Sequence, residues 1–491
     1  MSLEADLLVI GGGINGAGIA RDAAGRGLSV LLVEKDDLAS ATSSSSSKLI
    51  HGGLRYLEQF EFRLVAEALE EREVLLRIAP HLVWPARFVM PHVPQLRPRW
   101  MIRTGLFLYD HLGRRTQLPG SEAVRLDAPP YNAGLRPELR HGFLYSDCRV
   151  DDARLVVANA RDAEARGAKI FTRTALLRAK REDGAWVAAL SGGQSVRARA
   201  IVNAAGPWAK KVLNEDLGQP SRDGVRLVKG SHIVVPRCYE GEHAFILQND
   251  DRRVVFMIPY QERYTLIGTT DVAQEGEPRL PVASDAEVEY LCRAVNRYLL
   301  RPVAGADVAW RYAGVRPLYD DGSSDPSAVT RDYTLRVDED QGTAPVLTVY
   351  GGKITTYRRL AEHALAKLRH HFPQMKLSWS ASAALPGSDF GSLSAPMLLD
   401  ALARRYAFFP REELREIFRR HGALAAEVLG DAARPDDLGE NFGAGLYERE
   451  VQYLVRHEWA RSAEDVLWRR TKTGLRMSKA QRERLADRMG A

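Results

Sequence analysis

The stretch Ala5-Asp6-Leu7-Leu8-Val9-Ile10-Gly11-Gly12-Gly13-Ile14-Asn15-Gly16 decides the fold. Its first half is an apolar run that reads as a buried parallel strand. Gly11, Gly13 and Gly16 then satisfy GxGxxG. The small residues from Ala17 to Ala24 follow as a helix, and a second strand over 28–33 ends in Glu34. Each part has a physical role. Gly11 permits the tight turn, Gly13 lets backbone approach a pyrophosphate, and Gly16 lets the helix pack close to the sheet. The helix N-terminus turns N–H groups and a positive dipole end toward phosphates. Glu34 stands where a carboxylate accepts hydrogen bonds from a ribose. A lone GxGxxG is weak, but the order strand, turn, helix, strand, acid makes this a dinucleotide site. The acid disfavours a 2′-phosphate and hence NADP; FAD and NAD both remain open.

Working outward, Thr42 and the five serines Ser43–Ser47 lead into Lys48-Leu49-Ile50-His51-Gly52-Gly53-Leu54-Arg55-Tyr56. A serine run is often a linker, but this one ends in a base, a histidine, paired glycines and an arginine, as a cofactor loop would. Further on, a buried strand over 200–203 ends in Ala204-Ala205-Gly206, small enough for close approach to the same site. A strand over 346–350 ends in Gly351-Gly352-Lys353-Ile354-Thr355 before a helix over 357–368. That is a second strand–glycine–helix element, with a base at the turn. Residues 229–271 alternate as an antiparallel sheet, suited to a platform over a site. Helices are expected at 58–78, 100–112, 147–166 and 285–300. From about Leu385 glycine falls and Arg, Glu, Ala and Leu dominate, which reads as a separate helical part.

The bases Lys48, Arg55, Arg316, Arg331 and Lys353 and the histidines His51 and His232 all fall near glycine-rich turns at strand ends. Open α/β folds bind ligands there, and such a pocket suits a phosphate or a carboxylate. The chain has 491 residues, enough for two or three domains. Lys plus Arg is 69 against 63 for Asp plus Glu, giving +6. That excess is too mild to indicate nucleic acid but fits an anionic substrate or lipid surface. Cys148, Cys238 and Cys292 are far apart and read as reduced thiols; no metal-ligand spacing, GxSxG elbow or GxxxxGK[ST] loop is present. Met1 to Asp6 carries two acids and no base, unlike a signal peptide, and no 18-residue run is apolar enough to span a bilayer. Residues 100–112 set Met101, Leu108, Trp100 and Phe107 beside Arg99 and Arg103, a pattern that serves either a membrane interface or a core-facing helix.

Taken together, IGGGINGAGIARDAAGRGLSV, SSKLIHGGLRYLE, NAAGPW, KGSHIVVP, IGTTDV, GVRPL, TRDY and GGKITTYR resemble the aerobic, FAD-dependent glycerol-3-phosphate dehydrogenases over nearly the whole chain. The resemblance implies an α/β flavoprotein of the glycine-oxidase type. It would comprise a Rossmann-like FAD-binding domain from 1–80, 145–215 and 310–375, an antiparallel substrate cap from 81–144 and 216–309, and a helical domain from 385–491. It implies oxidation of glycerol 3-phosphate to dihydroxyacetone phosphate, with electrons passed through FAD to membrane quinone, on the cytoplasmic face of the cell membrane. An oxidase using O₂ and a non-catalytic flavin-binding protein are the alternatives, and the helical part is open to dimerisation. The implied FAD contacts are Gly11, Gly13, Asn15, Gly16, Glu34, Thr42, Ser43, Ser47, Lys48, Leu49, His51, Gly206, Gly352, Lys353, Ile354 and Thr355. Arg55, Tyr56, Thr270, Arg331 and Lys353 would meet the substrate. His232 is the first choice for proton acceptor, because histidine titrates near neutral pH; His51 is second, and Arg316 would steady a developing alkoxide.

Overall fold

The computed structural model describes residues 2–93, 96–113, 117–220, 223–251, 253–278, 280–320, 332–339 and 343–490. Strands Ser2–Ile10 and Val30–Val33 flank helix Ile14–Gly25, as the glycine motif predicts. They run parallel, with Leu7 opposite Val30 and Ile10 opposite Val33. Ser195–Asn203 pairs parallel with the other edge of Ser2–Ile10, and Val346–Tyr350 lies parallel beyond it. Lys169–Phe171 closes the opposite edge. Helices Ile14–Gly25, Asp152–Ala165 and Tyr357–Lys367 bury one face of this sheet around Ala17, Ala20, Val157 and Leu360. The hairpin Leu176–Glu182 and Ala185–Leu190 and the segment at Val212 cover the other face around Ile201 and Trp186. A sheet buried on both faces explains why its strands read as near-continuous apolar runs.

The second sheet has ten strands and is almost wholly antiparallel. Its long pair joins Gly224–Pro236 to Trp310–Asp320, with His232 opposite Tyr312 and Gly230 opposite Gly314. Gly224–Pro236 pairs on its other edge with Tyr264–Gly268, so that His232 also faces Gly268. Helix Asp285–Asn296 packs on one side of this sheet and helices Phe62–Ile78 and Arg99–Leu112 on the other. Two sequence expectations change here. The helix expected over 147–166 begins only at Asp152, because residues 147–150 complete the strand His141–Val150. Residues 145–150 and 310–320 therefore belong to the second sheet, not the dinucleotide layer, as does Leu49–Ile50. Hydrogen-bonded pairing decides this, and hydrophobic pattern alone does not reveal a strand's partner.

The C-terminal helices Ala395–Arg405, Arg411–His421, Glu448–Glu458 and Lys479–Met489 have their own cores around Leu414 and Phe442. They are clamped to the dinucleotide layer by buried ion pairs. Arg154 pairs with Glu458, and Arg469 and Arg470 both grip Asp37, three residues after Glu34. Trp468 stacks on Trp310 of the second sheet, with centroids 4.9 Å apart. Among the described residues no helix is long and apolar enough to cross a membrane.

Candidate active site

A cavity of about 660 Å³ opens between the two sheets at the C-terminal ends of the parallel strands. Its dinucleotide end is built from backbone. Gly11 has φ +108°, and a Cβ there would stand 2.5 Å from Ala204 O. A Cβ on Gly16 would stand 1.9 Å from Gly11 O, so this glycine is needed for packing and does not itself line the cavity. Gly13 caps helix Ile14–Gly25 without any side-chain cap. Ser43 Oγ accepts from Ile14 N–H at 3.0 Å, and Thr42 Oγ1 donates to Val315 O at 2.6 Å, tying the serine loop to the helix and the second sheet. Glu34 accepts from Gly12 N–H at 2.7 Å and Asp36 N–H at 2.8 Å. Burial pushes its carboxyl upward against these two bonds. Across the cavity Gly352 has φ +99°, and a Cβ would collide with Asn15. Asn15 Nδ2 donates to Gly351 O at 3.1 Å, while its Oδ1 is buried without a partner among the described residues. Leu49, Gly206, Ile354 and Thr355 complete this wall. Two glycines with no room for a Cβ, a helix N-terminus that lines the cavity at Gly13, Ile14 and Asn15, and an orphaned Asn15 oxygen fit a dinucleotide.

The other end carries the basic side chains. His51, Arg55, Tyr56, His232, Arg316 and Lys353 all line the cavity. Lys353 Nζ lies 3.8 Å from the centre of the Tyr56 ring. Arg316 bonds Thr270 O at 3.2 Å and pairs with Asp271. His232 Nε2 shares a hydrogen with Ser47 Oγ at 2.9 Å, and its Nδ1 has no partner among the described residues. Thr355 Oγ1 meets both His51 N–H and His51 O, at 3.3 and 3.4 Å.

Three expectations are corrected. Lys48 does not line the cavity; its Nζ bonds both Asp152 oxygens at 2.9 and 2.8 Å and Ser44 O at 2.8 Å, holding the serine loop from behind. Thr270 is buried behind the wall, accepting from Ser231 N–H and donating to Glu287, and Thr269 lines the cavity instead. The near-neutral titration expected of His232 is absent. Burial, then the charges of Lys48 and Arg316, push it down to about 3. Burial, with Lys353 and Arg72, lowers His51 to about 4. Burial therefore favours the neutral form of both imidazoles and makes each a weak base as the cavity stands. Thr330 and Arg331 lie outside the described residues. Sequence reasoning missed Tyr312, whose ring stacks on His232 at 4.9 Å and whose hydroxyl donates to Ser46 O at 2.8 Å. An aromatic in a strand carries no signal that separates this role from core packing. It also passed over Gly268, where a Cβ would stand 2.1 Å from the His232 ring. Glu339, His370 and His371 come together at the surface, a grouping that sequence spacing does not suggest, but none of them lines the cavity.

Residues 6–358 match the family described as FAD dependent oxidoreductase, and residues 378–489 match the C-terminal domain of alpha-glycerophosphate oxidase. The chain is 55% identical over 486 residues to a glycerol-3-phosphate dehydrogenase of Pseudomonas aeruginosa, covering 98% of this chain and 94% of that one. It is 51% identical over 489 residues to the aerobic glycerol-3-phosphate dehydrogenase of Escherichia coli, covering 98% and 96%. The chain belongs to the FAD-dependent glycerol-3-phosphate dehydrogenase family. That membership makes it an enzyme with FAD as cofactor, in keeping with the cradle described above. A family structure, the glycerol-3-phosphate dehydrogenase of Bacillus halodurans complexed with FAD, superposes with a TM-score of 0.75 at 26% identity, covering 99% of this chain and 94% of that one. Glycine oxidase from Bacillus cereus shares the fold at a TM-score of 0.54 and 18% identity, covering 73% and 96%. Relatives in the family differ in the substrate they are named for. One from Brucella abortus, 51% identical over 482 residues and covering 97% and 96%, is a D-erythritol 1-phosphate dehydrogenase.

Proposed function

We propose that this enzyme oxidises sn-glycerol 3-phosphate to dihydroxyacetone phosphate and passes the electrons to a membrane quinone. The observation that carries the reading is the cavity itself: a dinucleotide cradle at one end and Arg55, Arg316, Lys353 and two neutral histidines at the other. FAD, when bound, supplies the hydride acceptor. The protein's own groups then divide the work. Lys353 and Arg55, both on the cavity wall, hold the phosphate as charged donors. His232 takes the C2 hydroxyl proton by way of Ser47, whose Oγ passes its own hydrogen to the Nε2 lone pair as it accepts the substrate's. Its ring is held in place by Tyr312 beneath it and by the space Gly268 leaves. A doubly charged phosphate entering the cavity raises both histidines from their low values, which strengthens His232 as a base when substrate is present. Arg316 steadies the developing alkoxide, and His51 stands as the second acceptor.

We also assign the membrane-facing side to helix Arg99–Leu112 and the turn before helix Phe62–Ile78. Ile102, Leu106 and Tyr109 face inward, while Trp100 is 68% exposed, Phe107 57% and Phe60 78%. Aromatic side chains of this kind beside Arg99 and Arg103 suit the headgroup region of a bilayer. The cytoplasmic leaflet is the surface proposed.

The test is an anaerobic flavin spectrum of the purified enzyme before and after substrate. Bleaching by glycerol 3-phosphate, reversed quickly by a soluble quinone and slowly by O₂, supports the reading. Fast reoxidation by O₂ with peroxide release makes it an oxidase. Bleaching by D-erythritol 1-phosphate at a much higher kcat/KM moves the substrate to that of the Brucella relative.

A further inference from the structure

Behind the serine loop lies a second cavity, of about 80 Å³, between the ten-stranded sheet and the C-terminal region. Four hydrogen-bond donors in its wall have no acceptor among the described residues: Trp84 Nε1, Arg149 Nε, Tyr260 Oη and Lys472 Nζ. The Lys472 side chain is 2% exposed. Arg149 spends its other two nitrogens on Pro259 O at 2.8 Å and Glu242 at 3.4 Å, which leaves the Nε hydrogen over. The carboxylate facing Lys472, Asp151, stands 3.7 Å away, beyond hydrogen-bond length, and caps helix Asp152–Ala165 by accepting from Arg154 N–H. The remaining carboxylates of the wall already face arginines: Glu242 meets Arg149 and Arg237, Glu262 meets Arg415 and Arg419, and Glu416 meets Arg476.

Buried donors, two of them on cations, are costly without an acceptor. Burial lowers both Lys472 and Arg149, so their charge is under-compensated as the cavity stands. The space is several times the roughly 10–15 Å³ that one water needs. A water satisfies one or two donors and brings hydrogens of its own; an oxyanion carries acceptors on every side. We propose that this cavity is a binding site for a small oxyanion of the phosphate class, held by Lys472, Arg149, Tyr260 and Trp84. Lys48 also lines it while bonding Asp152 and Ser44 O, so an anion here sits one ion pair behind the loop that lines the dinucleotide cavity.

Selenate soaked into crystals of the full-length, FAD-loaded enzyme locates the site by the anomalous scattering of selenium. The expected result is a peak within hydrogen-bond reach of Lys472 Nζ, Arg149 Nε and Tyr260 Oη, reduced in Tyr260→Phe and lost in Lys472→Met. Tyr260→Phe keeps the ring in place and carries the test should Lys472→Met fail to fold. Displacement by inorganic phosphate alone assigns the site to the free ion, and displacement by glycerol 3-phosphate as well assigns it to phosphate esters too. Selenate confined to the large cavity, or only water between these four donors, overturns the proposal.

Discussion

His232 is the residue on which the proposed chemistry turns. His232→Asn keeps a polar group beside Ser47 but removes the base. We expect flavin reduction by glycerol 3-phosphate to slow by about 10²–10⁴-fold, the usual contribution of a positioned base. FAD content should be unchanged, and a variant reduced at the wild-type rate would move the role to His51. Gly16→Ala tests the cradle: its Cβ would meet Gly11 O at 1.9 Å, so the protein should purify with little flavin, read from the ratio of 450 to 280 nm absorbance. A third residue concerns pH. His81 is buried on Ser388 Oγ at 3.0 Å, and burial lowers it to about 3. The unfolded chain, with histidine near 6.5, takes up the proton first. The stabilisation is therefore complete above about pH 6.5 and is lost as pH falls toward 3. His81→Gln should flatten the fall in Tm between pH 6.5 and 4; an unchanged slope would mean other groups govern acid unfolding.

At the scale of elements, the C-terminal helices act on the dinucleotide layer through charge. Glu458 is fully buried beside Arg154, with Arg161 at 3.6 Å and Arg470 at 4.0 Å. Its carboxyl is held at about 2, burial opposing and Arg154 prevailing. Glu458→Gln leaves these cations facing a neutral amide. A loss of about 3–5 kcal/mol is expected, as for other broken buried pairs, measured by denaturant unfolding with FAD bound. Elements were also the scale at which the sequence was most readable. Ser2–Ile10, Ile14–Gly25 and Val30–Val33 follow from apolar runs bracketing glycines, because local steric demands dictate them. The assignment of 145–150 and 310–320 to the second sheet was not legible, since pairing depends on partners far along the chain. The same limit hid Lys48: a lysine in a serine-rich loop looks like a phosphate ligand until Asp152, a hundred residues on, is seen beneath it.

For the whole molecule, the exposed aromatic side chains set a direction. Trp100 and Phe107 project from a helix whose inner face is fixed by Ile102, Leu106 and Tyr109. Trp100→Ser combined with Phe107→Ser should reduce co-sedimentation with anionic vesicles several-fold, while activity with a soluble acceptor stays unchanged. Equal binding by the double variant would place the membrane face elsewhere.

The interleaved strand order carries a consequence for biosynthesis. The central strand Ser2–Ile10 needs Ser195–Asn203 on one edge, and the glycine turn facing Asn15 comes only after Val346–Tyr350. A ribosome making this chain has released its phosphate-binding turn long before the far wall exists. Contacts so distant in sequence close slowly, and larger chains expose apolar surface while waiting. Flavin capture should therefore be a late event, following translation of residue 352 and not of the N-terminal motif. Nascent chains stalled before that point would remain colourless and depend on chaperones.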